Sequence, residues 1–474
     1  MKNKKLNAGA ARKSIASALV AIVLAQGCLQ SSFSQPVNAQ STTTSALTAD
    51  SFSRDYTVLT KQILQKGIEL ERFSLKYRLE AAKQPKFRRL RYFLSQEAGA
   101  AGGLAFEITA VDQFERGRRH PLQINKGALE NSLKATTTTS IIAASGSGLE
   151  LTSNFLLSLK NRKNGYDPKS ANKFVASKLK NIDDLLAQRD ALVQRNSSSP
   201  AYEYAVAEGR VLHAMRNSFI NEYTQFSIDT RSYLAFQNLF YLLNTSYNVV
   251  GATAAGIAYK AVTEPELNGP ANILFIVSGG LAMVSPILST GYSKWMKNHA
   301  RRDVERALNE KIDFKPGALA EECKKLERAV PVVDGSLIPS LPVTQRLGLY
   351  TQSSELFQKQ LANETKIMHK LEKVALQTSE IGPLIGGALM TQGILGTVGY
   401  YKYTVRPRKQ IGLFYGGAVV GTVGTSAAVV GNAAWLLASY SYERNLAKKK
   451  QLPRQLIQAR LDHLVEIEKV VASI

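Results

Sequence analysis

Apolar residues recur at alternating steps of three and four residues along several long stretches of the chain. This spacing places them on one side of an α-helix, as in helices that pack along one another. Period-two alternation, which is typical of strands, is scarce. The pattern therefore predicts an all-α protein. The seam positions are Tyr56, Leu59, Ile63, Lys66, Leu70, Phe73, Tyr77, Val175, Leu179, Ile182, Leu186, Val193, Leu212, Met215, Phe219, Phe226, Tyr233, Phe357, Leu361, Met368, Leu371, Ile457, Leu461, Leu464 and Val471.

Between these amphipathic helices lie segments of another character, rich in Gly, Ala, Ser and Thr and poor in charge. They form three pairs, 92–111 with 136–159, 234–262 with 273–295, and 381–401 with 411–440, which we call the arms of hairpins one, two and three. About 20 helical residues rising 1.5 Å each cross a hydrocarbon core of ~30 Å. The sequence therefore predicts an integral membrane protein built from transmembrane helical hairpins.

Hairpin one is the weakest candidate for crossing a membrane, because it contains Glu97, Glu107 and Glu150. Carboxylates are costly in lipid, and those that occur there often have a function. Glu107 and Glu150 are therefore our candidate intramembrane polar residues, and an ion path is one role for them. Packing of hairpin one at the membrane surface is the alternative.

The three hairpins share one layout, in which an amphipathic helix leads into an arm, a turn, a second arm and a basic exit. This order is typical of a diverged threefold repeat, and chance similarity among Ala-rich helices is the alternative. The predicted organisation is a signal peptide at 1–39, a flexible spacer at 40–55, helix and hairpin units at 56–200, 201–330 and 350–474, and a Pro-rich linker at 331–349.

The N-terminus resembles a secretory signal in its layout. Basic residues precede an apolar stretch at 15–29, and small residues end at Ala39, after which we expect cleavage. Lipidation of Cys28 and an uncleaved anchor are the alternatives. After cleavage Cys323 is the one remaining thiol, so no intrachain disulfide can form.

Small residues inside the arms predict close helix packing. In lipid, helices associate through small side chains that let their backbones approach, and Gly417 and Gly421 have the Gly-x-x-x-Gly spacing of such a surface. Similar helices also occur buried in soluble proteins, which is the alternative. The predicted helix-packing positions are Gly387, Gly396, Gly417, Gly421 and Gly424.

Aromatic residues lie where the arms end. Trp295, Tyr400, Tyr401 and Tyr440 are our predicted membrane-interface residues, since amphipathic rings favour that depth. If the N-terminus is exported, the amphipathic helices between the hairpins lie outside the cytoplasm, and the short turns that join the two arms of each hairpin lie inside it. The turns of hairpins one and three are basic, which agrees with this orientation, but the turn of hairpin two is not. The opposite ends of the hairpins are basic as well, so charge bias alone does not set the orientation.

No motif for catalysis, a cofactor or a metal is found in the sequence. The histidines His120, His213, His299, His369 and His463 are scattered, and neither a phosphate-binding loop nor a nucleophile elbow is present. We therefore expect a protein that is not an enzyme, without cofactor or metal.

The chain carries 60 Lys and Arg against 37 Asp and Glu, a formal net charge of +23. Basic side chains that follow the arms predict attraction to a bilayer with anionic headgroups, and nucleic acid is not expected. The predicted function is a scaffold or assembly protein of a bacterial cell envelope, which binds itself or an envelope protein. The alternatives are an ion or small-solute channel or transporter, and a soluble exported helical bundle that binds an anionic surface.

Overall fold

The computed structural model describes residues 43–81, 87–311, 317–329, 346, 348–351 and 382–473, and every regular element in them is helical. The all-α prediction is confirmed for these residues. The helices are α1 (Thr43–Ala81), α2 (Arg88–Arg119), α3 (Lys126–Lys163), α4 (Pro168–Arg195), α5 (Tyr202–Ala261), α6 (Asn268–Leu308), α7 (Ala318–Ala329), α8 (382–403), α9 (Pro407–Lys448) and α10 (Pro453–Ser473).

Short-range sequence signals set several helix ends. The Asp167 side chain accepts hydrogen bonds from the backbone N–H groups of Lys169 and Ser170, and so caps α4. Asn125 caps α3 in the same way. Short 3₁₀ turns at Pro121–Gln123 and Pro265–Leu267 join the arms of hairpins one and two. Proline begins these turns because its missing N–H is not needed there.

The chain separates into two units, at residues 1–51 and 52–474. Residues 43–51 of the first unit are helical, although the sequence predicts a flexible spacer over 40–55. Helix α1 contains no proline and a single glycine, so nothing in the stretch ends the helix. The predicted signal peptide, the linker before residue 346 and the seam positions between 357 and 371 lie outside the described residues.

In the second unit, α1, α4, the first half of α5, α7, residues 348–351 and α10 form a helical bundle around one apolar core. The seam positions of α4 are all buried, and in α1 those spaced seven residues apart, Tyr56, Ile63, Leu70 and Tyr77, are buried as well. The intervening positions of α1 are half-buried.

Charged residues occupy several positions of the apolar seams. Arg189 lies between Leu186 and Val193 at the seam spacing, and Glu222 lies between Phe219 and Phe226. Glu208 precedes the seam of α5 by one helical step, and Arg460 lies within the seam of α10, three residues after Ile457 and four before Leu464. All four are at least 96% buried. Charges at such depth must be paired, and the structure pairs each of them.

The first buried charge cluster is centred on Glu208. Its carboxylate lies 3.2 Å from the Arg189 guanidinium and 3.5 Å from that of Arg346. The Tyr56 and Tyr350 hydroxyls donate hydrogen bonds to it. Burial alone raises the pKa of a carboxyl, but the two guanidinium groups and the hydroxyls outweigh that effect and hold the pKa of Glu208 below its ordinary value.

The second cluster joins the C-terminal helix to the bundle. Arg460 of α10 donates two hydrogen bonds to Glu222 of α5, at 2.5 and 2.7 Å, and one to Glu71 of α1 at 2.8 Å. Arg78 of α1 also pairs with Glu222. Ion pairs of this kind fix which helices are neighbours, because removal of one partner leaves a buried charge.

The Glu208 cluster predicts a loss of stability in acid. Because the folded-state pKa is lowered, its stabilisation is present above the ordinary carboxyl pKa of about 4.3 and is lost as the pH falls through the folded-state value. Glu208→Gln should cost about 3–5 kcal/mol at pH 6, since it leaves two guanidinium groups buried without a carboxylate. The measurement is thermal unfolding in mild detergent at several pH values between 6 and 3.

The difference in free energy of unfolding between wild type and Glu208→Gln should become smaller as the pH falls. The control is Glu115→Gln, whose partners Arg118 and Arg119 are exposed, and which should cost at most about 1 kcal/mol. If the difference in free energy of unfolding between wild type and Glu208→Gln stays constant down to pH 3, the lowered pKa of Glu208 is contradicted.

Candidate functional site

The six arms pack in a closed cyclic order. Within the hairpins, α2 packs on α3, α5 on α6, and α8 on α9. Between hairpins, α3 packs on α5, α6 on α8, and α9 on α2. The second arm of each hairpin therefore contacts the first arm of the next, and the last contact returns to the first hairpin. We call this arrangement the ring.

Glycines allow the closest contacts in the ring. A Cβ atom on Gly386 of α8 would overlap the carbonyl oxygen of Gly279 and the backbone nitrogen of Met283, both on α6. Backbone atoms cannot rotate away as a flexible side chain can. The contact between α6 and α8 therefore requires glycine.

Four of the five predicted helix-packing glycines contact another arm of the same chain. Added Cβ atoms would overlap the Asn272 side chain at Gly396, the Glu107 carboxyl at Gly421 and the Ala388 methyl group at Gly424, and would lie 3.3 Å from Gln392 at Gly417. The fifth, Gly387, has no atom of the described residues within 4 Å of its Cβ position.

Buried positions of the arms are small, and large apolar residues are exposed. On α9 the buried residues include Gly417, Gly421 and Ala428, whereas Val423 and Val430 are 68% and 67% exposed. The other arms show the same distribution. Their exposed apolar residues include Leu94, Ile108, Ile141, Ile142, Leu149, Phe155, Leu156, Leu242, Val249, Ile273, Val277, Ile287, Leu288, Leu384, Ile394 and Leu437.

Two helical stretches among the described residues, Pro265–Leu308 and Pro407–Ala472, are long and apolar enough to cross a membrane, judged by length and composition. The most apolar 18-residue segment of each stretch is only 33% buried within the protein. These stretches include the second arms of hairpins two and three.

The four predicted interface aromatics lie on the outside of the ring or at its turns. Trp295, Tyr401 and Tyr440 are between 45% and 62% exposed. Trp295 stacks on His299 with a centroid distance of 5.5 Å. Tyr400 is half-buried, and its hydroxyl donates to the backbone oxygen of Glu266 in the turn of hairpin two.

The ring encloses a cavity of about 1080 Å³, and every arm contributes to its lining. On α9 the lining residues recur at helical steps of three and four, so one side of this helix faces the cavity. Apolar, aromatic and amide side chains predominate in the part between the arms. Examples are Tyr92, Gln96, Phe240, Asn244, Tyr247, Asn248, Phe275, Thr425, Ala428, Asn432 and Trp435.

The amides of the cavity wall form hydrogen bonds across the ring. Gln96 of α2 donates to the Ser147 hydroxyl of α3 at 3.0 Å, and Asn248 of α5 donates to Gln96 at 3.4 Å. Asn244 donates to the Tyr92 hydroxyl. Three helices therefore share one polar network, which fixes the cavity wall.

At the end next to the bundle, the cavity is lined by charged side chains, several of which are exposed to solvent. Most of these cations are paired with a carboxylate. The pairs are Arg78 with Glu222, Arg88 with Glu150, Arg89 with Glu443, Arg231 with Asp303, and Lys297 with Asp229. Lys294 and Arg454, which also line this end, are exposed. We call this end the mouth.

The opposite end of the cavity is closed. The lining residues that the structure describes stop before the three turns, and a cluster of side chains packs between the cavity and the turn of hairpin one. The cluster contains Ala110, Leu129 and Ala418. The cavity is therefore one-sided.

The structure places the two candidate intramembrane carboxylates differently. Glu150 is fully buried but lies 2.6 Å from Arg88 and 2.5 Å from Arg91, so its charge is compensated near the mouth. Glu107 is 2% exposed and lines the closed end of the cavity. Gln392 hydrogen-bonds the Glu107 carboxyl, and the Oε2 atom of Glu107 has no hydrogen-bond partner among the residues that the structure describes. No cation pairs with Glu107 within the described residues.

Other candidate chemistry is limited in the part of the chain that the structure describes. No group of three or more His, Cys, Asp or Glu side chains converges there as a set of metal ligands. Cys323 lies in the bundle core and not at a helix surface, and burial raises the pKa of its thiol to about 11. A thiol with that pKa stays protonated and is a poor nucleophile.

Sequence reasoning missed the charged seam residues and the stripe of α9 that faces the cavity. Arg189 and Glu222 fall at seam spacing, so the same periodicity that finds the apolar seam also indicates that they are buried. Asn432 and Trp435 likewise belong to a helical stripe.

Comparison with known proteins adds nothing to this site, since no family model, no curated protein and no solved structure matches the chain.

The glycine contacts of the ring predict opposite effects for two adjacent substitutions. Gly386→Ala should destabilise the protein by about 1–3 kcal/mol, because the new methyl group meets the backbone of α6. Gly387→Ala faces open space and should be neutral or stabilising by up to about 1 kcal/mol, the difference in helix propensity. Thermal unfolding of the solubilised variants measures both. Equal effects would contradict the packing of α6 on α8.

Proposed function

We propose that the chain is an integral membrane protein of a bacterial cell envelope that binds a small organic solute in the cavity of its hairpin ring and carries it into or across the bilayer. One observation carries this proposal. All six arms close around a cavity of about 1080 Å³ that is one-sided and lined by apolar, aromatic and amide groups. Solute sites have this composition, with a few polar groups on a largely apolar wall.

The distribution of residue size supports the membrane part of the proposal. In water, large apolar side chains are buried in the core, whereas in lipid they can face outward and leave the small residues for helix contacts. In the arms, large apolar side chains face outward and small residues form the helix contacts. In the bundle, large apolar side chains such as Leu70, Ile182 and Leu186 form the core. We therefore place the ring in lipid and the bundle in water.

The predicted signal peptide orients the cavity. An exported bundle places the mouth on the outer side of the membrane and the three turns on the cytoplasmic side. The cavity is closed toward the turns, so it accepts solute from the exported side. Release on the other side requires the packing around Ala110, Leu129 and Ala418 to open.

A scaffold function, the first expectation from the sequence, receives less support from the ring. That expectation relies on small-residue surfaces that are free to bind a partner or a second copy. Gly396, Gly417, Gly421 and Gly424 are instead occupied by other arms of the same chain. The solute-binding alternative explains both the closed ring and the polar groups inside it.

The experiment is native mass spectrometry of protein solubilised from alkaline-washed membranes. Spanning helices stay in such membranes, so we expect the protein in the pellet and a small-molecule adduct on it. Ala428→Trp places an indole in the cavity and should remove the adduct. Val423→Trp, on the outer face of the same helix, should keep it.

Two results would contradict the proposal. Release of the protein by the alkaline wash would favour a soluble bundle whose core is the small-residue arms. Solute binding in the cavity would be contradicted if the folded protein in the pellet carries no adduct, or if Ala428→Trp carries the adduct as wild type does. The scaffold function would then be the favoured one.

A further inference from the structure

We propose that the cavity recognises an organic cation with a bulky apolar body, and that the Glu107 carboxylate at the closed end of the cavity binds the positive charge. This inference rests on the proposed function and specifies the class of its solute. It is carried by the position of one buried carboxyl that has no cationic partner among the described residues, at the end of the cavity away from the charged mouth.

Glu107 is the last residue of α2 that lines the cavity, so it lies farthest along this helix from the mouth. Its side chain is 2% exposed, and apart from the hydrogen bond with Gln392 its carboxyl has no partner in the described part of the chain. A buried carboxylate without a cation is strongly disfavoured, so a carboxyl in this position holds a proton unless a cation pairs with it. A cationic solute would supply the partner that the described residues do not.

Basic side chains do not compete for Glu107 at that depth. Among the described residues, the Lys and Arg side chains that line the cavity all lie near the mouth, and five of these seven are paired there with a carboxylate. The remaining two, Lys294 and Arg454, are exposed, where salt screens their charge. At the depth of Glu107, a monocation therefore meets this carboxyl and no lining cation among the described residues, and its positive charge favours the ionised form of the carboxyl over the protonated form.

The walls between the mouth and Glu107 suit an apolar body. Tyr92, Phe240, Tyr247 and Trp435 present aromatic rings, which attract cations as well as apolar surface. The amides of Gln96 and its network add polarity without charge. The volume of about 1080 Å³ is at the upper end for ligand pockets, so the solute is larger than a simple amine.

A bare metal cation fits this site less well. Hard cations such as Ca²⁺ take six to eight oxygen ligands, often from several carboxylates. Glu107 has one amide neighbour, Gln392, and belongs to no group of three or more metal-ligating side chains within the described residues. An organic monocation needs only one opposite charge and an apolar surface.

The test uses two ions of nearly the same size and shape and of opposite charge, tetraphenylphosphonium and tetraphenylborate. Their binding to the solubilised full chain is measured by equilibrium dialysis in a neutral detergent. Wild type should bind the phosphonium ion at least about tenfold more tightly than the borate ion. Glu107→Gln should lose that preference, with weaker binding of the phosphonium ion and unchanged or stronger binding of the borate ion.

Two further variants separate charge from packing. Glu107→Asp keeps the charge and should keep the preference for the cation. Glu115→Gln removes a carboxylate from the same helix, but outside the cavity, and should bind both ions like wild type.

Each other outcome overturns the inference. Equal binding of the two ions by wild type, no binding of either ion, or an unchanged preference in Glu107→Gln would each show that Glu107 does not select a cation. If Ala428→Trp still removes a native adduct in those cases, the proposed function stands and only the solute class is wrong. If no adduct exists in wild type, the proposed function fails by its own test.

Discussion

The ring depends on the close approach of helix backbones through small residues. Where Gly279 and Gly386 meet, no side chain larger than hydrogen fits between α6 and α8. Because small residues occupy the contacts, the large apolar residues of the arms are left on the outer surface, and polar and aromatic side chains are left on the inner one. One packing constraint thus produces both the apolar exterior and the cavity, and the proposed membrane placement and solute binding both follow from it.

The bundle holds the ring in position. Helix α5 has 60 residues and runs without interruption from the bundle core into hairpin two. Arg460 ties the C-terminal helix to Glu222 of α5 and to Glu71 of α1, so the chain segment after hairpin three is tied back to the segment before hairpin one. Buried ion pairs are poor sources of net stability, but they select one arrangement of helices over others. Here they specify which helices are neighbours at the base of the ring.

The sequence predicts the helices and the hairpins well, because both depend on local periodicity and on the composition of single segments. It predicts the arrangement of the ring poorly, because the contact between α9 and α2 joins residues that are far apart in the chain. The two carboxylates show the same limit. Glu107 and Glu150 are equivalent in sequence, yet one lies beside Arg88 and Arg91 and the other faces the cavity without a cation. Only the three-dimensional neighbours separate these roles.

Closure of the ring inside the membrane is the central claim, and a disulfide cross-link tests it most directly. A Cβ atom on Gly103 of α2 would lie 3.5 Å from the Thr425 methyl carbon of α9, which occupies a position that a cysteine sulfur could take there, so two cysteines at these positions are close enough to be joined. Gly103→Cys with Thr425→Cys should therefore cross-link within one chain in alkaline-washed membranes. Gly103→Cys with Val423→Cys, which faces outward, should not. No cross-link in the first pair, or equal cross-linking in both, would contradict the closed ring.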